Sequence, residues 1–233
     1  MLIDAFEQAI SLIVSVNPDL LEILWLSIQV SLTALLFSVV LGLPIGTSLA
    51  ISKFPGKKAC VTIINSLMGL PPVVVGLLVY LLLSRSGPFG VLGLLYTPTA
   101  MVIAQVVLIT PLIAALAYQV MDDLHREYRD LFQSLGIPLI KAVPTYLWDA
   151  RYSLVTSVLA GFGRAISEVG AVIIVGGNID HLTRVMTTAI ALETSKGELA
   201  IALALGIILL ALALIVNAAV TTVRGFGLRN AYV

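Results

Sequence analysis

Two opposite charges lie inside the fourth of five long apolar segments, and their spacing allows them to meet. Arg164 and Glu168 are four residues apart, about one turn of a helix, so their side chains can form an ion pair. A charge at the centre of a membrane helix costs roughly 2.5–3.5 kcal/mol on insertion scales, and pairing offsets part of that cost. Small residues on the same face precede the pair, namely Ser153, Ser157 and Gly161. Such a stripe cannot face lipid, so it faces neighbouring helices or a pathway.

Few other residues could support chemistry. Of 233 residues, 59% are hydrophobic and 11% are charged, and the net charge is zero, which gives no basic patch for nucleic acid. The single cysteine, Cys60, has no disulfide partner and no surrounding set of metal ligands. No Ser-His-Asp set and no G-x-x-x-x-G-K-[ST] phosphate loop occurs in the sequence. We therefore predict no catalytic residue, no metal and no cofactor on this chain.

The apolar segments must position the charged pair. Five of them are long enough to cross a bilayer, for which about 20 residues are required. Each is predicted to be a helix, because a lone segment in lipid can pair its backbone only within itself. They are residues 24–51, 59–83, 97–120, 154–175 and 199–223. Residues 1–19 precede them, and apolar side chains within 2–16 fall on one side of a helix, which predicts an external or interfacial helix over 1–19. The predicted fold class is all-α, an integral membrane helical bundle.

Lysine and arginine residues predict the orientation, since they collect on the cytoplasmic side. Nine fall in the loop 52–58, in the polar stretch 121–151 and after residue 223, against three in the remaining loops. This difference places the N-terminus outside and the C-terminus inside, with residues 226–233 as a cytoplasmic tail.

The polar stretch 121–151 has the pattern of two short helices. Its apolar residues recur at steps of four, three and four, which predicts one face of a helix. They are Leu124, Tyr128, Leu131 and Leu135. Gly136 can end that helix in a left-handed conformation, and Pro138 suits the first turn of a second helix. The pair could fit a groove on another protein or lie on the membrane surface, and periodicity alone does not decide between them.

Several blocks of the chain resemble one family. Residues 130–136, Asp-Leu-Phe-Gln-Ser-Leu-Gly, resemble the EAA loop of ABC importer permeases. Residues 70–76 (Leu-Pro-Pro-Val-Val-Val-Gly) and 163–171 (Gly-Arg-Ala-Ile-Ser-Glu-Val-Gly-Ala) resemble the molybdate, tungstate and sulfate branch. Residues 183–194 are most similar to the tungstate-specific permease. The resemblance implies a type I ABC permease domain over residues 20–225, with a cytoplasmic coupling loop at 121–152.

The family resemblance also implies a machine with several subunits in the plasma membrane of a prokaryote. A second copy of this multi-pass chain would complete the pathway, an external binding protein would deliver the oxyanion, and two cytoplasmic ATP-binding subunits would hold ATP and Mg²⁺. The chain would contact lipid but no nucleic acid. Tungstate is the favoured cargo, with molybdate or sulfate as alternatives. An autonomous channel or secondary transporter that uses Arg164 and Glu168 is a rival from another class, and a membrane enzyme using Glu168 or His125 ranks last.

Three groups of site residues follow from the resemblance. The ATPase-docking group comprises Glu127, Arg129, Asp130, Leu131, Ser134, Leu135, Gly136 and Lys141. The gate and pathway group comprises Pro71, Pro72, Val73, Val74, Gly76, Arg164, Glu168 and Gly170. The external-mouth group comprises Gly176, Gly177, Asn178, Thr187 and Thr188.

Each pathway feature also has a structural alternative. The two prolines should kink the second segment, and the apolar wall 73–76 would then stop a hydrated oxyanion, unless the kink only shapes the bundle. Arg164 could attract the dianion while Glu168 prevents tight binding, although an ion pair that locks helix packing is the favoured alternative. Residues 180–193, predicted to be an amphipathic helix, could lie in the interface or fold inward near the pathway mouth, and the resemblance favours the mouth.

Overall fold

The computed structural model describes residues 2–15 and 17–230, and within these residues all regular elements are helical. The predicted all-α class is therefore confirmed. The α-helices are α1 Leu2–Val14, α2 Pro18–Ile51, α3 Lys57–Met68, α4 Pro72–Leu83, α5 Pro98–Ser134, α6 Leu139–Asp149, α7 Arg151–Ile166, α8 Gly170–Gly176, α9 Met186–Lys196 and α10 Leu199–Asn230, and a 3-10 turn covers Gly90–Leu92. Helix α10 includes the first part of the predicted tail, and residues 231–233 lie outside the described residues.

Three of these helices, α2, α5 and α10, are long and apolar enough to cross a membrane alone. Two bent pairs, α3 with α4 and α7 with α8, meet the same criteria when each pair is taken together. If each pair counts as one span, the total is the predicted five. Helix α5 also contains the first helix of the coupling loop, because it runs without a break for 37 residues.

The second segment is broken rather than kinked, with an angle of 98° between α3 and α4. Pro71 and Pro72 remove two consecutive backbone donors, so the helix cannot continue through them. Helix α3 ends at Met68, and α4 restarts with Pro71 as its N-cap and Pro72 in its first turn, where no donor is needed.

The fourth segment is also broken, by 54° between α7 and α8, although the sequence predicts one continuous helix over 154–175. Residues 167–169 contain no proline or glycine that would signal a break. The Glu168 carboxylate accepts a hydrogen bond from the backbone N–H of Ala171 at 3.2 Å, which satisfies a donor in the first turn of α8. The break therefore depends on a side-chain contact that periodicity cannot reveal.

The chain forms two compact units, each assembled from alternating parts of the sequence. The first comprises Met1–Ala34, Pro71–Val106 and Gly163–Val216, and it contains the α4 and α8 half-helices. The second comprises Leu35–Leu70, Val107–Phe162 and Asn217–Val233, and its core surrounds the fully buried Tyr146.

Candidate functional site

The coupling loop turns at Gly136, which has the left-handed φ of +67°. The backbone N–H of Ile137 donates to the carbonyl of Phe132 at 2.9 Å, the pattern that closes a helix end around such a residue. A Cβ added to Gly136 would meet nothing within 4 Å, so the glycine is needed for its conformation and not for space. Pro138 is the N-cap of α6. The predicted helix end and the predicted second helix are both confirmed.

An aromatic group, which we call the Tyr146 cluster, fixes α6 to the end of α5. The Tyr146 ring stacks on Tyr128 with centroids 6.2 Å apart and an interplanar angle of 3°. Phe132 packs against the same ring at 5.6 Å, and the Tyr146 hydroxyl lies 3.3 Å from Nδ1 of His125. Burial raises the pKa of the Tyr146 phenol above its ordinary value. The two helices of the loop are thereby held as one body.

The cluster corrects the predicted apolar face of the first helix. Leu124 and Tyr128 share one face as predicted and pack against the cluster that contains Tyr146, but the next inward residue is Phe132. Leu131 and Leu135 point outward, with 54% and 63% of their surface exposed. Two steps of four residues lead from Leu124 through Tyr128 to Phe132 and stay on the buried face. A step of three from Tyr128 leads instead to Leu131, which lies on a neighbouring face of the helix.

The remaining predicted docking residues are also exposed. Glu127, Arg129, Asp130, Ser134 and Lys141 all lie on the surface of the loop. Trp148 of α6, which the sequence prediction omits, is 67% exposed, and the Arg151 guanidinium lies 4.5 Å from the centroid of its ring. A single tryptophan in a polar segment is the sequence feature that could have indicated this exposed docking residue. Exposed large apolar residues among charges are typical of a protein-binding surface.

The half-helices α4 and α8 meet in the first unit through glycine. A Cβ on Gly76 would lie 2.8 Å from Cα of Ala171, and a Cβ on Gly170 would lie 2.9 Å from Cγ2 of Val73. These distances are too short for real contacts, so the two backbones approach each other where side chains are missing. We call this the glycine contact.

The predicted apolar wall is smaller than the sequence suggests. Val73 and Val74 are exposed, whereas Val75 and Gly76 are buried. Successive residues of a helix turn by about 100°, so four consecutive residues cannot share one face. Val73 and Val74 are the part of this segment that could line a pathway.

The predicted ion pair forms, with 3.7 Å between Nη2 of Arg164 and Oε2 of Glu168. The Glu168 side chain is only 5% exposed and the Arg164 side chain is 44% exposed. Besides Ala171, Glu168 engages α9, because its backbone carbonyl accepts a hydrogen bond from the Thr187 hydroxyl at 2.8 Å. These contacts favour the packing role of the pair. They leave Arg164 as the more accessible charge.

The small residues that precede the ion pair differ in their exposure to solvent. Ser157 and Gly161 are buried, whereas Ser153 is exposed. Within the second unit, a Cβ on Gly161 would lie 3.1 Å from Cδ1 of Ile113, so this glycine also permits close packing.

The predicted external-mouth residues are mostly committed to the fold. Gly177 ends α8 with a φ of +71°, and Asn178 follows with a φ of +52° and donates to the carbonyl of Thr188. Gly176 is buried, and its carbonyl accepts a hydrogen bond from the Thr183 hydroxyl at 2.6 Å. Thr187 and Thr188 are buried as well. Their hydroxyls are satisfied by backbone groups, which argues against direct contact with an oxyanion.

The segment after this turn differs from the predicted amphipathic helix over 180–193. Helix α9 begins only at Met186. The Thr183 hydroxyl accepts the N–H of Ile179 at 2.9 Å, and this local bond holds residues 179–183 in a turn. The first residues of α9, 186–189, are buried, so the start of this helix packs inside the first unit, whereas residues 179–182 are exposed.

Two polar residues within the apolar segments hold the end of α7 and the start of α9, and the sequence analysis does not predict either of them. Gln105 is buried and its amide donates to the carbonyl of Ala165 at 3.1 Å. Ser27 is buried and its hydroxyl accepts the N–H of Met186 at 2.8 Å. A single amide or hydroxyl in an apolar run was the only sign of either contact.

Known proteins similar to this chain are transport permeases. Residues 42–224 match the family described as the binding-protein-dependent transport system inner membrane component. The tungstate uptake system permease protein TupB of Peptoclostridium acidaminophilum is 40% identical over 221 residues, which cover 95% of this chain and 97% of that one. A probable anion ABC transporter permease protein of Haloferax volcanii is 43% identical over 204 residues, covering 85% and 88%. The TupB protein of Campylobacter jejuni is 33% identical over 214 residues, covering 92% and 90%.

These matches extend over almost all of the described helices, including both the Tyr146 cluster and the glycine contact. The chain therefore belongs to the family of binding-protein-dependent inner membrane transport components, and it is a multi-pass permease subunit of an ABC importer.

Proposed function

We propose that this chain forms the transmembrane pathway of a tungstate importer. The observation that carries this proposal is its similarity, over more than nine tenths of its length, to two relatives named as tungstate uptake permeases. Two copies of the chain would enclose the pathway, an external binding protein would deliver tungstate, and two ATPase subunits that hold ATP and Mg²⁺ would drive the cycle.

The coupling loop supports the proposed attachment of ATPase subunits. Leu131, Leu135 and Trp148 are exposed, while the Tyr146 cluster holds the helices beneath them in place. Helix α5 continues from this loop to Pro98 without interruption, a length of about 55 Å at 1.5 Å per residue. A displacement of residues 127–143 by a bound ATPase would therefore move the membrane segment of α5 directly.

The exposure of Arg164 supports a pathway formed with a second copy. An arginine in a membrane helix is costly where lipid surrounds it, so its exposed part needs water or protein around it. A water-filled pathway between two copies provides both. Val73 and Val74 are the exposed apolar residues that would impede a hydrated dianion in the resting state.

Uptake by reconstituted vesicles tests the proposal. Vesicles containing this chain should accumulate labelled tungstate only when its ATPase, its binding protein and ATP are all present. Unlabelled molybdate and sulfate, added in excess, measure the selectivity. Uptake that sulfate suppresses as strongly as tungstate does would refute the tungstate assignment, and flux through the chain alone would instead establish a channel or secondary transporter.

The role of Arg164 needs a separate experiment in the same vesicles. If the ion pair only locks helix packing, Arg164→Lys should keep uptake near the wild-type rate and Arg164→Gln should lower the unfolding temperature. If Arg164 attracts the dianion, Arg164→Gln should reduce the uptake rate at low tungstate while the complex stays assembled and stable. Retained uptake in both variants with intact assembly would rule out the attracting role.

A further inference from the structure

A basic cavity lies in the second unit, where the end of α2, the start of α3 and the coupling-loop part of α5 come together. Two adjoining spaces of about 400 and 750 Å³ share Lys53, Lys57, Asp122 and Arg126 in their walls. Lys58 lines one space, and Arg129 and Asp130 line the other. Arg129 and Asp130 also belong to the predicted docking group, but neither that group nor the gate and pathway residues include Lys53, Lys57, Lys58 or Arg126.

The charges in this cavity are not balanced. Asp122 is buried and bound by two cations, with 2.6 Å to Arg126 and 3.6 Å to Lys57. Lys57 Nζ also donates to the carbonyl of Ala50 at 2.7 Å, so it is firmly placed. Lys53, Lys58 and Arg129 are exposed and form no ion pair with another described side chain. Five cations against two carboxylates leave a strongly positive cavity.

Two further features agree with a positive cavity. The pKa of His125 is lowered chiefly by burial, and the nearby charges of Lys57 and Arg129 lower it further, although Asp122 acts in the opposite direction. Helix α3 begins at this cavity after Gly56, and no side chain caps its first N–H groups. The Lys57 N–H donates to the Phe54 carbonyl at 3.3 Å, but the helix start still carries partial positive charge, which suits an oxyanion.

An apolar groove joins the basic cavity at Phe54. It has a volume of about 490 Å³, and Phe54 lies in the walls of both spaces. Its other lining residues are Pro44, Ile45, Ser48, Leu49, Ser52, Cys60 and Ile64. A soluble oxyanion would use only the basic cavity. A phospholipid would use both parts, with its phosphate among the cations and an acyl chain along the groove.

We propose that this amphipathic site binds one anionic phospholipid, with the headgroup phosphate held by Lys53, Lys58 and Arg129 and an acyl chain in the groove beside Phe54. Basic pockets between membrane helices, close to the cytoplasmic surface, are suited to such headgroups. The site goes beyond the proposed transport function, since it concerns the membrane around the chain and not the transported ion. It would make the position of α3 dependent on membrane composition.

Lipid titration of the purified full chain tests this proposal. The chain in neutral detergent is titrated with phosphatidylglycerol, phosphatidylcholine, inorganic phosphate and tungstate, and bound molecules are counted by native mass spectrometry. One molecule of phosphatidylglycerol should bind per chain, and it should bind far more tightly than phosphatidylcholine, phosphate or tungstate. Each of Lys53→Gln, Lys58→Gln and Arg129→Gln should weaken it about fivefold. The control Arg85→Gln, which removes an exposed arginine from the first unit, should leave binding unchanged.

A second set of variants separates the acyl-chain part from the phosphate part. Ser48→Trp fills the groove without removing a cation and should weaken the binding of phosphatidylglycerol. Ser66→Trp, at an exposed position outside the groove, should leave that binding unchanged. The unfolding temperature of each variant confirms that it is folded, and Lys→Arg versions should restore binding. Equal binding of both lipids with no effect of the variants would refute the site. Phosphate or tungstate bound as tightly as phosphatidylglycerol would instead make it a site for soluble anions.

Discussion

The Tyr146 cluster and the glycine contact hold their helices together by opposite means. In the coupling loop, large aromatic rings fill the space between α5 and α6, and apolar residues remain exposed on the outside. Between α4 and α8, side chains are absent at Gly76 and Gly170, and the polar groups nearby are already hydrogen-bonded. In the proposed importer, a loop that transmits force must be stiff and still bind its ATPase. If the glycine contact lies beside the proposed pathway, unsatisfied donors there would trap the dianion.

The comparison predicts its largest effect at Tyr146. Tyr146→Ala removes the ring around which Tyr128 and Phe132 pack, and it should lower the free energy of unfolding by about 3–5 kcal/mol. Tyr146→Phe removes only the hydroxyl beside His125 and should cost about 0.5–1.5 kcal/mol. Unfolding of the purified chain in detergent measures both losses.

Trp148→Ala is the matched variant on the outer face of the same helix. Because its side chain is mostly exposed, it should leave stability within about 0.5 kcal/mol of wild type while weakening ATPase binding. A large loss of stability in Trp148→Ala, or none in Tyr146→Ala, would contradict the division between packing residues and docking residues.

The next effect is expected at the glycine contact. Gly76→Ala places a Cβ 2.8 Å from Cα of Ala171, and a backbone atom cannot rotate away. We expect a loss of about 1–3 kcal/mol from this overpacking. Gly206→Ala is the control, because a Cβ there meets nothing within 4 Å and alanine favours the helix. Equal unfolding temperatures for the two variants would show that α4 can move away from α8 at little cost.

A smaller effect is expected at Gly136, where only the conformation matters. Gly136→Ala should cost about 1–2 kcal/mol, because the left-handed conformation is unfavourable for a residue with a Cβ. Gly136→Asn should recover part of that loss, since asparagine tolerates this conformation better. If Gly136→Asn lowered stability more than Gly136→Ala, the position would require a small side chain and not only the left-handed conformation.

The smallest effects concern pH, and two histidines should respond in opposite directions: His125 of the Tyr146 cluster, and His181, which lies outside the glycine contact in the turn before α9 and contacts Glu22. The pKa of His125 lies below its ordinary 6.5, chiefly because of burial, so the unfolded chain takes up a proton first and stability falls as the pH drops below about 6.5. The pKa of His181 is raised by its hydrogen bond to Glu22, so its contribution is present below about 6.5 and is lost as the pH rises through the raised pKa.

Unfolding temperatures between about pH 5 and pH 8 separate the two histidines. His125→Gln should reduce the loss on the acid side, and His181→Gln should remove the loss on the alkaline side. If both variants changed the same side of the profile, the assigned directions would be wrong.

Sequence alone predicts the elements of this fold that depend on local chemistry. Conformation and spacing predict the end of α5 just before Gly136, the start of α6 after Pro138 and the pairing of Arg164 with Glu168. The two prolines predict the position of the break but not its angle, because a kink and a full break share the same local cause.

The rest depends on contacts between distant residues. Periodicity located an apolar face on the first coupling helix, but only the position of Tyr146 selects Phe132 over Leu131 as a buried residue. The break before α8 and the late start of α9 require hydrogen bonds formed by the side chains of Glu168 and Thr183. The predicted apolar wall is too wide, because consecutive residues of one helix cannot share a face.

The exposed Trp148 also makes the coupling loop optically accessible. The chain contains two tryptophans, and the other is Trp25 on α2. In a Trp25→Phe background, intrinsic emission would come from the coupling loop alone. Shielding of Trp148 by a bound ATPase would shift that emission to shorter wavelength and protect it from soluble quenchers. Association could then be followed in real time without an attached dye.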